Sequence, residues 1–279
     1  MSGTEASERV TIRKYAKNRF ARVEIDLVRE IAFEIHVNGS HVVTTACAGL
    51  HPEEMAAGFL KSEGLIQSRE DIRKMTLSRN GKAIRILTRD TNSKTPLNAT
   101  KLIGSSGARL QLEAAAKKRG AARFGKKGLN ATGPILKPQN VIDLMEGLLC
   151  AAEIHDRTRG THCSALASTE GLIVAREDIG RHNTLDMLGG WALLNGVDCS
   201  DKIVLTTGRV SSEIVSKVSR IGAPVIISHS AAMTRAVAQA EELGMTLIGY
   251  VRTGNFNIYS DRMGRIKKDV GRWTLDVRH

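Results

Sequence analysis

Two short turns in this sequence place a glycine directly before an arginine at the apparent start of a helix. They are Gly180-Arg181-His182-Asn183 and Gly208-Arg209-Val210-Ser211-Ser212. A helix N-terminus exposes unpaired backbone N–H groups and a partial positive charge, glycine permits close approach, and arginine adds a planar fork. Each turn therefore suits an anion, and two of them at corresponding strand ends point to a phosphate-bearing ligand. The alternative for the second turn is a capped helix start, with Ser211 or Ser212 bonding the backbone and Arg209 solvated.

Other residues near these turns could add chemistry. Glu177 and Asp178 precede the first turn, and with His182 they form a candidate acid–base group, because histidine titrates near neutrality and a carboxylate can set its tautomer. Pairing of the carboxylates with Arg181 or Arg209 explains them equally well. His162 and Cys163 are neighbours on one strand and so point to opposite faces, which leaves neither able to assist the other readily. The H-x-E and P-C-x-x-C ligands of zinc deaminases do not occur together, since no P-C-x-x-C is present, and no metal site is expected. Tyr250-Val251-Arg252-Thr253-Gly254-Asn255 ends an apolar strand. An aromatic beside an arginine and a glycine turn can stack a purine, while Phe256 and Tyr259 fit either that role or core packing.

The elements that must hold these residues can be read from periodicity. Strands are predicted at Leu172–Ala175, Ile203–Thr206, Pro224–Ile227 and Thr246–Val251, and helices near Asn183–Leu194, Ser211–Arg220 and Ala231–Leu243. Before them, Val141, Leu144, Met145, Leu148 and Leu149 form a helical stripe. Alternation of strand and helix predicts a mostly parallel or mixed sheet covered by helices, with the strand ends REDIGRHN, TTGRVSSE, SHSAAMT (starting at Ser228) and YVRTGN on one edge. That edge is the expected ligand crevice. Nearer the N-terminus, IAFEIHVNGSHVVTT and MTLSRNGKAIRIL each read as a hairpin around an Asn-Gly turn. Pro52, Glu53, Glu54 and the stop at Gly64 outline a helix between them.

The 279 residues carry a formal net charge of +12, with 42% apolar and 25% charged residues, which is ordinary globular usage. The excess charge lies in residues 1–22 and 101–137, so the body is neutral and nucleic acid is disfavoured as a partner. The second basic stretch could still recruit a polyanion or serve as a solvated linker; a short helix is predicted around Leu110–Lys118. The expected organisation is a basic tail (1–22), an N-terminal α+β hairpin domain (23–100), a basic linker (101–137) and an α/β domain (138–279). Cys47, Cys150, Cys163 and Cys199 show no C-x-x-C spacing, which fits a reducing compartment. With no signal-peptide pattern and no apolar run of membrane length, the protein reads as cytoplasmic.

The runs EDIGRHNTLD, TTGRVSSEIVSKVSRIGAPVIISHSA and LIGYVRTGNFNIYS, preceded in order by IHVNG, AAGFLKSEGLI and THCSAL, resemble the signature segments of the FdhD family, the formate dehydrogenase accessory proteins. The resemblance spans roughly residues 30–103 and 138–260. It implies a cytoplasmic homodimer whose C-terminal domain is a cytidine deaminase-like three-layer α/β/α fold. It also implies a sulfurtransferase-like role: sulfur is taken from a cysteine desulfurase and delivered to the molybdenum or tungsten bis-guanine-dinucleotide cofactor, bound as cargo, for apo formate dehydrogenase. The family's cofactor stretch falls on Tyr250–Asn255.

This chain departs from the family pattern in three places. The sulfur-carrying C-G-x-C-G aligns with Ile103-Gly104-Ser105-Ser106-Gly107, so Ile103 and Ser106 replace both cysteines. A serine hydroxyl cannot take over from a thiolate as a persulfide carrier, which leaves Cys163, beside His162, as the thiol candidate. The family's S-R-S-A-P-T is Ser228-His229-Ser230-Ala231-Ala232-Met233, and T-G-G-x-H is Thr158-Arg159-Gly160-Thr161-His162. The leading expectation is a maturation factor that binds the guanine-dinucleotide cofactor. A non-catalytic cofactor chaperone is the alternative, and a nucleotide-processing enzyme using Glu177, Asp178 and His182 is a third reading.

Overall fold

A computed structural model describes residues 6–89, 102–103 and 133–267. The chain begins with a two-stranded antiparallel ribbon, β1 (Ser7–Ala16) and β2 (Arg19–Val28), turning at Lys17 and Asn18 with φ of 49° and 62°. Residues 7–22 of the stretch expected as a basic tail lie in this ribbon. Charge density reports solvation, whereas the strand follows from β-branched residues at period two: Val10 pairs with Ile25 and Ile12 with Val23 across the turn.

The second sheet has the order β5-β6-β3-β4-β7, built from β3 (Ile31–Val37), β4 (Ser40–Cys47), β5 (Ile72–Leu77), β6 (Ala83–Thr88) and β7 (Leu102–Ile103). Asn38 (φ 50°) and Gly39 (φ 84°) close the β3–β4 hairpin, as the two positive angles of its turn require. Helix α1 (Pro52–Ser62) starts on its proline, carries Glu53 and Glu54 in the first turn, and buries Met55, Ala56, Phe59 and Leu60 with Phe33 and Ile35 of β3. β7 comes from the stretch expected to be a linker and pairs with β4 at Thr44 and Thr45. The rest of that stretch up to residue 132, including the predicted helix at Leu110–Lys118, lies outside the described residues.

The third sheet has the order β13-β12-β11-β10-β8-β9. Its strands are β8 (His162–Ala167), β9 (Leu172–Asp178), β10 (Ile203–Thr206), β11 (Val225–Ser228), β12 (Thr246–Arg252) and β13 (Asn255–Ser260). β10, β11 and β12 run parallel; β8, β9 and β13 are antiparallel to their neighbours. The remaining helices are α2 (Pro138–Cys150), α3 (Glu153–Thr158), α4 (Arg181–Leu194), α5 (Ser212–Ile221) and α6 (Thr234–Leu243). Alternate strand residues bury opposite faces. Val204, Ile226 and Leu247 pack under α4, α5 and α6, whereas Ile203, Leu205, Val225 and Ile227 pack under Val141, Leu144, Met145 and Leu148 of α2. Helices therefore cover both faces.

Helix α4 serves two cores. Leu185, Leu188 and Ala192 face the third sheet, while Met187 and Leu193 join the core of the second. The predicted start of α6 at Ala231 moves to Thr234, because Ala231 and Ala232 are extended: Val210 N–H donates to Ala231 O and Met233 N–H to Val210 O (3.1 and 2.9 Å). No helix among the described residues is long and apolar enough to cross a membrane.

Candidate functional site

Strand directions bring the expected residues to one edge. The carboxyl ends of β10, β11 and β12 lie beside the start of β8 and the end of β9, since Ser164 is in register with Thr206 and His162 with Asp178. The loops are joined in series. Ser228 Oγ donates to Gly208 O (2.8 Å), Ser230 N–H donates to Ser228 Oγ (2.9 Å), and Tyr250 N–H donates to Ser230 O (2.9 Å). Ser228 is fully buried and holds these loops together.

The two glycine–arginine turns meet. Gly180 is the N-cap of α4 and Arg181 its first residue; Ser211 is the N-cap of α5, and Ser212 begins it. The aliphatic stem of Arg181 lies across Gly208, where an added Cβ would fall 3.0 Å from Arg181 Cβ and Cδ. Arg181 Nε and Ser211 Oγ are buried yet have no hydrogen-bond partner. Burial and the nearby Arg209 guanidinium lower the Arg181 pKa, with Glu213 opposing them. His162 is held below its ordinary value by burial first, then by Arg181, His155 and Arg209. Like charges are gathered without a full complement of acceptors, which is the electrostatic condition for holding an anion.

The two acid–base candidates Glu177 and Asp178 are held in hydrogen bonds. Glu177 accepts from Ile154 N and His155 N, the first turn of α3, at 2.8 Å each, and from Thr161 Oγ1 at 2.9 Å. Fully buried Asp178 accepts from Ala48 N (2.8 Å), Gly180 N (2.9 Å) and Asn183 Nδ2 (2.7 Å), and Asn183 also donates to Ala46 O (2.8 Å). Both carboxylates, expected in chemistry or in holding the cofactor, accept from backbone N–H groups and from one side chain each. Asn183 likewise fastens β4 to α4. His182 lies 3.6 Å from Glu213.

Cys163, the thiol candidate, lies in the core. It is fully buried among Ala165, Leu205 and Leu148, and burial followed by Glu177 pushes its thiol up to about 12. Almost no thiolate exists there at neutral pH.

At the end of β12, the Arg252 guanidinium lies 4.5 Å from the centre of the Tyr250 ring and donates to His229 O (2.5 Å) and Val251 O (2.8 Å). Tyr250 has φ of 54° and is half exposed, whereas Val251 is buried core. Thr253 and Gly254 form the exposed turn before Asn255 opens β13, and Tyr259 and Phe256 pack on opposite faces of the third sheet, with the core under α4–α6 and with that under α2 respectively.

Sequence reading missed a buried hydroxyl chain beneath the arginines. Ser164 Oγ lies 2.7 Å from Thr184 Oγ1 and donates to Thr206 Oγ1 (3.0 Å); Gly208 N–H also donates to Thr206 Oγ1 (3.2 Å), and Thr184 Oγ1 donates to Arg181 O (2.8 Å). The chain thus connects both glycine–arginine turns. Its only trace in the sequence is a polar residue at an inward strand position, in Ser164 and Thr206. His155 was also missed; its Nδ1 lies 2.6 Å from Thr161 O.

The fold and this edge define an α/β protein in which two arginine-headed helix starts share one anion-suited corner. The sequence profile of the FdhD/NarQ family matches residues 28–267. The chain is 34% identical over 251 residues to "Sulfur carrier protein FdhD" of Bacillus subtilis (strain 168), covering 88% of this chain and 93% of that one. It is 35% identical over 264 residues to the protein of the same name from Geobacillus kaustophilus (strain HTA426), covering 93% and 97%. A crystal structure of a formate dehydrogenase accessory protein from Desulfotalea psychrophila shares the fold, with a TM-score of 0.74 and 22% identity over 94% of this chain and all of that one. This chain belongs to the FdhD/NarQ family.

Proposed function

We propose that this protein is a formate dehydrogenase accessory factor that binds the molybdenum or tungsten bis-guanine-dinucleotide cofactor as cargo at the edge described above. It supports the cofactor's sulfuration and its insertion into apo formate dehydrogenase, in the cytoplasm and as a homodimer, on a cytidine deaminase-like C-terminal domain. The observation that carries the reading is the pair of buried, unpartnered groups, Arg181 Nε and Ser211 Oγ, at the junction of two helix N-termini. Buried polar atoms without partners are costly, and a diphosphate supplies the missing acceptors. Arg209 faces solvent beside them, and Tyr250 offers a ring for a guanine.

A second reading, a cofactor chaperone that moves no sulfur itself, is favoured by the thiols. Cys47, Cys163 and Cys199 are buried, with values pushed up to about 12, 12 and 11, chiefly by burial. Ile103 sits in β7 beside Thr45, where the family places its first sulfur-carrying cysteine. Sulfur from a cysteine desulfurase would then reach the cofactor without passing through a cysteine pair of this chain.

Calorimetric titration of GDP tests the binding reading. Wild type is expected to bind, with affinity falling about tenfold or more in Arg181→Ala and Arg209→Ala, as loss of a charge-assisted hydrogen bond implies. Arg252→Ala is expected to weaken binding by releasing Tyr250 and the His229 carbonyl. Absence of binding, or equal affinity in the folded variants, sinks the proposal. Incubation with a cysteine desulfurase and labelled cysteine separates the two readings: label on a cysteine of this chain excludes the chaperone.

A further inference from the structure

The β1–β2 ribbon pairs with neither larger sheet. Its root is held where Arg29 N–H donates to Ala6 O (2.8 Å) and where Val28 lies against Gly160, whose missing Cβ would fall 2.6 Å from Val28 Cγ1. At about 3.3 Å per residue, its ten-residue strands reach about 33 Å from end to end. The distal half, residues 13–22, holds Arg13, Lys14, Lys17, Arg19 and Arg22 and no acidic residue. Tyr15 and Phe20, opposite each other near the tip, are 58% and 64% exposed, with ring centres 5.0 Å apart and the Arg13 guanidinium 4.9 Å over Phe20. Lys17 occupies the left-handed region that favours Gly or Asn, and so places a further charge at the apex.

The root differs from the tip. Glu8, Glu24 and Asp26 outnumber Arg9 there, and the ribbon's other face carries Val10, Ile12, Val23 and Ile25, which are only partly buried. A nucleic acid offers continuous negative charge, which the acidic root repels, and no apolar surface to cover that face. A protein surface with acidic side chains around an apolar patch matches both halves. Gly160 is two residues from His162, so whatever grips the ribbon is anchored next to the candidate ligand edge. The recipient of the ligand is the protein that must come there.

We propose that the ribbon is a docking arm whose basic tip and aromatic pair engage an acidic, partly apolar strip on the apo-dehydrogenase. The identity of that client rests on the function proposed above.

Biolayer interferometry of the full chain on immobilised apo formate dehydrogenase tests the arm. Arg13→Glu/Arg22→Glu and Tyr15→Ser/Phe20→Ser are each expected to weaken docking at least tenfold, with GDP affinity unchanged; added salt weakens the wild type but not the charge-reversed variant. Docking by both variants at wild-type strength overturns the arm, as does failure of the wild type to dock. A change confined to affinity for a 20-nucleotide RNA, or to the oligomeric state in sedimentation, also overturns it. Failed GDP binding with ribbon-dependent docking intact would sink only the nucleotide reading, and normal GDP binding with ribbon-independent docking would sink only the arm.

Discussion

Gly58 of α1 and Gly190 of α4 face each other at the crossing of the two helices. A Cβ on Gly58 would run into the Asp186 carbonyl and lie 2.7 Å from Gly190 N, and one on Gly190 would run into the Glu54 carbonyl and lie 2.8 Å from Gly58 N. Backbone meets backbone, so neither neighbour can swing aside. Because α4 also carries Arg181 and Asn183 at its start, this crossing sets where the candidate site sits relative to the second sheet.

Gly190→Ala is expected to separate the helices and destabilise the protein by about 1–3 kcal/mol or more in urea unfolding, the range for overpacking a rigid contact. Gly147→Ala, in the last turn of α2, where a Cβ would meet Leu172 at an ordinary 3.7 Å, is expected to be neutral or to stabilise by up to about 1 kcal/mol. Equal behaviour of the two variants would refute the contact.

Below that crossing, Lys217 of α5 is ion-paired with Asp186 of α4 and donates to Ser62 Oγ of α1 (3.1 Å), with both charged residues buried. Lys217→Met leaves a buried carboxylate without its partner and is expected to cost about 3–5 kcal/mol, while Lys217→Met/Asp186→Leu recovers most of it. Calorimetric melting of the single and double variants checks this; a double variant no better than the single would contradict it.

Burial first, then the fields of Arg181, His155 and Arg209, hold His162 below its ordinary 6.5. The folded imidazole therefore stays neutral over a range where the unfolded one is protonated. The stability this contributes is full above pH 6.5 and is lost as pH falls toward the lower folded value. A diphosphate bound at Arg181 and Arg209 offsets their charge, so GDP is expected to raise the His162 pKa. NMR titration of the imidazole with and without GDP measures this, and an unmoved midpoint would place the anion elsewhere.

Cys150, exposed at the end of α2, is expected to react with iodoacetamide in the native protein, whereas Cys47, Cys163 and Cys199 are expected to react only after unfolding. Peptide mass spectrometry reads the pattern. Native labelling of Cys163 at a rate near that of Cys150 would restore it as a sulfur carrier.

Local chemistry decided much of what the sequence revealed. The Asn38-Gly39 turn, the Pro52 helix start and the strand–helix alternation after residue 200 depend on residues close in sequence, and they were readable there. The glycine–arginine turns were also visible, because a helix start after a strand is a local event. Tertiary structure decided the roles of the polar residues beside them. Glu177 and Asp178 read as chemistry until α3 and the loop after β4 supplied their backbone donors. Cys163 read as a thiol for transfer until α2 closed over it. The Ser164–Thr184–Thr206 chain, the Gly58–Gly190 crossing and the unpartnered Arg181 Nε arise between segments distant in sequence. Burial and hydrogen-bond partners are properties of the assembled neighbourhood, so no periodicity or spacing along the chain encodes them one residue at a time.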